Sequence, residues 1–314
     1  MRFHSNIGVF ATGGKTSMET LQQMHAQLQE EKKEVRDGID EAQWKCGSGE
    51  SKHLQPQALY GCALLPNTRG HEMEDFHRAE FREIGHGNEI GLFGIFDSHR
   101  GPHVGREVQR RLFDNILNEG GVWFDPAGAT RDGYLLTDRQ LLDGLSKEVE
   151  LAGCTAVTAM LFEHGARLLV ANVGDSRAVL CKNGDAVQLS VDHDPGRPVE
   201  RANVEMRGGV VVTLPGDVPR VDGQLAVARA FGDKSLKAHM SAKPDMEDLL
   251  VDLSCQFLIL ASNGLWRVIS NQEAVDLVQD IMDPAEAAKA LVRQARERLN
   301  DDDISCIVIR FMEV

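Results

Sequence analysis

Acidic residues recur at the ends of apolar runs in this chain of 314 residues. EMED presents Glu74 and Asp75. GIFDSHRG puts Asp97 and His99 directly after LFGIF. ANVGDSR contributes Asp175, and DDDISCIVIRF sets Asp301, Asp302 and Asp303 before the last apolar run. An Asp that ends a buried strand sits at the edge of the core, and several such groups repel one another unless cations join them. Hard divalent ions favour oxygen donors of this kind. Two ions sharing a carboxylate can activate a water for attack on phosphorus, and His99 is of the type that protonates a leaving oxygen. Asp is equally at home in turns, where its side chain bonds neighbouring amides. Periodicity alone does not bring distant segments together, so these residues leave both a metal site and a set of turn residues open.

The elements that must position them begin near Ala58. Short Val-, Ile- and Leu-rich runs follow one another between turn residues: ALYGCALL, EIGLFGIF, TAVTAMLF, RLLVANV, RAVLCKN, GGVVVTL, CQFLILAS and ISCIVIRF. They suit strands buried on at least one face. Asn183-Gly184 predicts a two-residue hairpin, and VANVGDSRAVL predicts two strands joined at Gly174, so the pairing is mainly antiparallel. Helical period appears in VGREVQRRLFDNIL, with Val104, Val108, Leu112 and Ile116 on one face. Ser270 and Glu273 stand in capping-box register before NQEAVDLVQDI, and Pro284 opens DPAEAAKALVRQARERL. The sum is mixed helix and mainly antiparallel sheet, with helices packed outside.

Residues 1–55 read differently, as a polar tail, partly helical or disordered. Leu21, Met24 and Leu28 give only a narrow helical stripe, and KCGSGESKH reads as a linker to a domain over 56–314. The net charge of −14 argues against a nucleic-acid partner. No run of about 18 apolar residues predicts a membrane span. The six cysteines form no C-x-x-C pair and suit free thiols in a reducing compartment, cytoplasmic or nuclear.

Seven segments in order carry a resemblance: MED (73–75), FDSHRG (96–101), CTAVTAML (154–161), VANVGDSRAVL (170–180), PRVDGQLAVARAFGDKSLK (219–237), LASNGLWRVISNQEAV (260–275) and DDISCIVIRF (302–311). The chain resembles the metal-dependent protein serine/threonine phosphatases of type 2C, in particular their plant branch, over about residues 58 to 312. The resemblance implies an α+β fold, a four-layer sandwich of two packed, mainly antiparallel sheets flanked by helices. It also implies two Mg²⁺ or Mn²⁺ ions and a bridging water that attacks phosphoserine or phosphothreonine in phosphoprotein substrates. The chain is expected to be a monomer without membrane or nucleic-acid partners. Carried over, Asp97 bridges both ions, Glu74 and the carbonyl of Ser98 serve one, and Asn263 and Asp302 serve the other. Asp75 holds waters from behind, and His99 is the general acid. Arg177 and Asp233 read as braces.

Three departures matter. FDSHRG has Ser98 and Arg100 where the family has Gly. A Ser at a position of positive φ costs about 1 kcal/mol or more. The family's SDG is Ser262-Asn263-Gly264, which removes a full charge from one ion's ligands, and Arg267 stands where many members place an Asp for a third ion that would also use Asp175. The family's phosphate-binding Arg is Gly70, with Arg69 beside it as the candidate stand-in. Two outcomes follow: a phosphatase of reduced activity, or an impaired pseudophosphatase that binds phosphoproteins or kinases.

Overall fold

A computed structural model describes residues 44–84, 88–119, 121–146, 150–162 and 164–312, together with Gln27. Contacts divide the chain into Met1–Ile39 and Asp40–Val314, and the following concerns the second unit. The helical stripe at Leu21, Met24 and Leu28 lies outside the described residues.

One sheet holds β1 (Lys45–Glu50), β2 (Ala58–Leu65), β14 (Ile304–Phe311), β13 (Cys255–Ala261), β7 (Arg177–Lys182) and β8 (Asp185–Gln188), in that spatial order. The second runs β12 (Asp245–Leu250), β6 (Arg167–Val173), β5 (Gly153–Phe162), β4 (Glu89–His99) and β3 (Asp75–Glu83), with β11 (Phe231–Gly232) also on β5. A separate short pair is formed by β9 (Val211–Val212) and β10 (Arg220–Val221). All the strand pairs are antiparallel.

Period-two alternation sorts each central strand between two cores. On β4, Phe93 and Ile95 face the other sheet, where they meet Leu258, Leu260, Ile307 and Ile309. Ile90, Leu92 and Phe96 face α1 (His103–Asn118) and α2 (Pro126–Gly144). On β13 and β14, Phe257, Ile259, Cys306 and Val308 face α5 (Asn271–Val278) and α6 (Pro284–Glu297). Helices, sheet, sheet, helices: the four layers expected from sequence are present. The chain also forms α3 (Pro198–Met206), with a small core of its own around Val204, Val221 and Met240, and the single turn α4 (Asn263–Trp266).

Local signals carry through. Ser270 and Glu273 form the capping box of α5. Asp283 accepts from the Ala285 and Glu286 amides to cap α6. Asn183 and Gly184, both at positive φ, turn β7 into β8. Other segments differ from the sequence reading. Lys45–Glu50, inside the expected linker, pairs with β2; its Gly and Ser residues give no apolar signal, and the free edge of β2 supplies the hydrogen bonds. GGVVVTL shrinks to Val211–Val212, with Val210 and Leu214 exposed, because no sheet face covers it. Among the described residues no helix is long and apolar enough to cross a membrane.

Helix α6 lies directly on β2 at Gly61, where an added Cβ would overlap the backbone of Pro284 and Ala285. Overpacking against main chain cannot be relieved by a rotamer change. Gly61→Ala is expected to destabilise the domain by about 2–3 kcal/mol, read as a lower urea midpoint with an unchanged slope.

Candidate active site

Both sheets end at one edge, and the acidic residues meet there. Asp75 and Asp97 are directly paired on β3 and β4. Asp175 follows Gly174 in the turn from β6, in one sheet, to β7, in the other. Gly174 has φ +102°, and any Cβ there would overlap Thr155, the residue opposite Asp97. Asn263 follows β13 and Asp302 precedes β14. The segments that sequence periodicity left apart are therefore brought together by strand pairing.

A set of buried polar groups aims the carboxylates. The Ser305 hydroxyl donates to Asp75 Oδ2 at 2.6 Å. The Ser305 amide in turn donates to Ser262 Oγ at 3.0 Å. Asp303, absent from the expected ligands, accepts from the Glu74 amide at 2.8 Å and from the Asn67 amide at 2.7 Å. It thereby ties the loop carrying Glu74 to the start of β14. Glu74 Oε1 accepts from the Gly101 amide at 3.0 Å, just ahead of α1. The run DDDIS was the available signal for Asp303 and Ser305, but nothing in it says which acid turns inward.

His99 ends β4, and its Nε2 lies 2.9 and 3.0 Å from the two carboxylate oxygens of Asp233. Asp233 is buried, at φ +46°. The close approach needs Gly153, because a Cβ there would overlap both Asp233 Oδ2 and His99 Nε2. The brace expected of Asp233 thus acts on His99 itself and leaves Nδ1 for exchange with a ligand. Arg177 ties Asp192 and Asn271 together and stacks over Trp266.

Electrostatics reflect the crowding. Burial, opposed by the Ser305 hydroxyl and reinforced by Asp303, pushes the Asp75 carboxyl up to about 7. Burial and the charges of Asp75, Asp175 and Asp302 push Asp97 well above the usual carboxylate range, while Arg267 opposes. Asp175 and Glu74 are raised by burial as well. Asp175 Oδ1 is buried without a hydrogen-bond partner among the described residues. An orphaned buried carboxylate oxygen amid others is an uncompensated cost, and the oxygen-rich donor set suits a hard divalent cation.

The departures resolve unequally. Ser98 lies within β4, opposite Cys154, and is not among the positive-φ residues, so the expected strain does not arise there. Its hydroxyl fits because residue 105 is Gly, where any Cβ would overlap it. Positive φ falls instead on Arg100, at 60°, and Gly101, at 113°. Asn263 Nδ2 donates to Asp175 Oδ2 at 3.2 Å. Arg267 Nη1 contacts Asp302 Oδ2 at 2.6 Å. Arg69 is held at the rim by a two-pronged bond to Asp301, with Asp302 3.8 Å away. A second group, His193, Glu200 and Asp245, is close enough to hold a metal. It is instead an ion network: Arg229 bonds Glu200 and Asp245, and His193 Nδ1 accepts from the Gly174 amide.

The raised carboxyls set a pH dependence. For Asp75 the folded state holds its proton more tightly than the unfolded chain. This contribution to stability is full below about pH 4 and is lost as pH rises through about 7. In EDTA, Asp75→Asn should therefore gain roughly 2 kcal/mol or more on the parent between about pH 5 and pH 8. Urea titrations of both proteins across that range check it, and a constant difference would contradict it.

A family profile described as protein phosphatase 2C matches residues 66–304. "Probable protein phosphatase 2C 44" of Oryza sativa subsp. japonica is 50% identical over 265 residues, covering 84% of this chain and 82% of that protein. "Probable protein phosphatase 2C 17" of Arabidopsis thaliana is 48% identical over 267 residues, covering 85% of this chain and 94% of that protein. In fold, the crystal structure of serine-threonine phosphatase 2C from Toxoplasma gondii superposes with a TM-score of 0.69 at 23% identity, over 86% of this chain and 99% of that one. With the profile spanning most of the domain and relatives near half identity, the chain belongs to the protein phosphatase 2C family.

Proposed function

We propose that the carboxylate edge is the centre at which this chain hydrolyses phosphoserine and phosphothreonine esters, the reaction of its family. The family depends on Mg²⁺ or Mn²⁺, and the observation that carries the proposal is the convergence of Asp75, Asp97, Asp175 and Asp302 with a bare Asp175 oxygen. In this reading Asp97, Glu74, the Ser98 carbonyl, Asn263 and Asp302 would hold two such ions. When bound, the ions activate a water and offset charge on the phosphoryl group. Asp75, fixed by Ser305, orients water from behind. His99, aimed by Asp233, delivers a proton through Nδ1 to the departing serine or threonine oxygen. Arg69 lies at the rim for the phosphate only if it leaves Asp301.

Residues 56–314 carry the chemistry in this reading, and the polar 1–55 stand outside it. Phosphoproteins are the substrates of a monomer. The acidic net charge disfavours nucleic acid and anionic membrane surfaces, and the cysteines suit a cytoplasmic or nuclear setting.

One observation favours the second reading, a binding module without turnover: Asn263 and Arg267 already hold Asp175 and Asp302. Phosphate release from a phosphothreonine peptide under Mn²⁺ and Mg²⁺ titration separates the two. An enzyme gives metal-dependent turnover that falls about 100-fold or more in Asp97→Asn. It also needs about tenfold less Mn²⁺ in Asn263→Asp, since a full ligand charge returns. A folded parent with no turnover at any metal concentration belongs to the second reading.

A further inference from the structure

Arg267 is a cation set directly against the acidic edge. Its Nη1 lies 2.6 Å from Asp302 Oδ2, and its charge acts on Asp97 and Asp175 as well. Asn263 completes the arrangement. Its amide donates to Asp175 Oδ2, where a carboxylate in the same place would confront Asp175 unless a cation stood between them. These two side chains thus give N–H donors to Asp302 and Asp175, and Arg267 adds a positive charge, at oxygens that a divalent ion would otherwise coordinate. The guanidinium is half exposed, with 53% of its side chain accessible against 23% for Asp302. It can therefore swing into solvent without unfolding its helical turn.

We infer that Arg267 is a tethered cation that competes with divalent metal for Asp302, so that loading the Asp302 side of the site requires the guanidinium to leave. The inference rests on the reading of this edge as a metal centre. It makes metal affinity, rather than geometry, the quantity this residue sets. An exposed ion pair of this kind is screened by salt, so the competition should weaken as salt rises. Lysine, a point charge without the planar fork, should compete less well than arginine.

The experiment measures Mn²⁺ binding by calorimetric titration, and melting in EDTA, for the parent, Arg267→Gln, Arg267→Lys, Asn263→Asp and Asp97→Asn. Arg267→Gln is expected to bind Mn²⁺ about tenfold more tightly at low salt and to melt at a lower temperature in EDTA, with Arg267→Lys between. The tightening should shrink between about 0.1 M and about 1 M salt. If Arg267→Gln binds Mn²⁺ no more tightly than the parent while Asp97→Asn abolishes binding, the competition is wrong and the metal centre stands. If no variant binds Mn²⁺, Asn263→Asp included, the metal centre itself falls and the inference with it.

Discussion

Carboxylates packed at the junction of two sheets oppose one another, and the rest of this site answers that repulsion. Asp75 and Asp97 cannot move apart, because they face each other in the β3–β4 ladder. Asp175 and Asp302 are brought up by chain reversals fixed by glycine and by a neighbouring strand. Burial strengthens the repulsion by removing the water that would screen it. The outcome is a set of acids held above their ordinary range, a condition typical of centres that bind cations or move protons.

What keeps the arrangement in place is a second set of groups that brace it from behind. Asp303 ties the Glu74 loop to β14, Ser305 and Ser262 hold Asp75 across the two strands, and Asp233 fixes the ring of His99. Two glycines serve the same end by absence: Gly153 lets Asp233 reach His99, and Gly105 makes room for the Ser98 hydroxyl. The second case shows why a departure from the family's pattern is tolerated. Ser98 needs no unusual backbone, only a missing Cβ across from it. At Asn263 and Arg267 the substitutions instead alter charge. An amide donates to Asp175 and a guanidinium pairs with Asp302, so the substitutions lower the net negative charge of this edge.

Much of this was legible before the fold was known, and the rest was not, for reasons that differ by element. β4, β5, β13 and β14 are buried on both faces, so their apolar runs announce them. The segments β3 and β12, with polar residues such as DFHRAEFRE and DMEDLL, lie at a sheet edge and half in water. β1 is half glycine and serine. Helix α2 buries Gly, Thr and Tyr among its contacts, too weak a stripe to read. Edge pairing is decided by a neighbour's free hydrogen bonds rather than by the segment's own hydrophobicity.

By itself the sequence determined which residue types are available and which strands end in an acid, because burial and turn preference are properties of a few adjacent residues. Through its resemblance it also determined the family, and with it the identities of Glu74, Asp75, Asp97, His99 and Asp302 as the residues to watch. Only the tertiary structure decided that Asp303 turns inward while Asp301 holds Arg69 at the surface, and that Asp233 serves His99. It alone decided that Arg267 reaches back to Asp302 across 35 residues of chain. Such pairings depend on which chain segments are brought within about 3 Å of one another. That is set by sheet register and loop closure, and no local pattern encodes it.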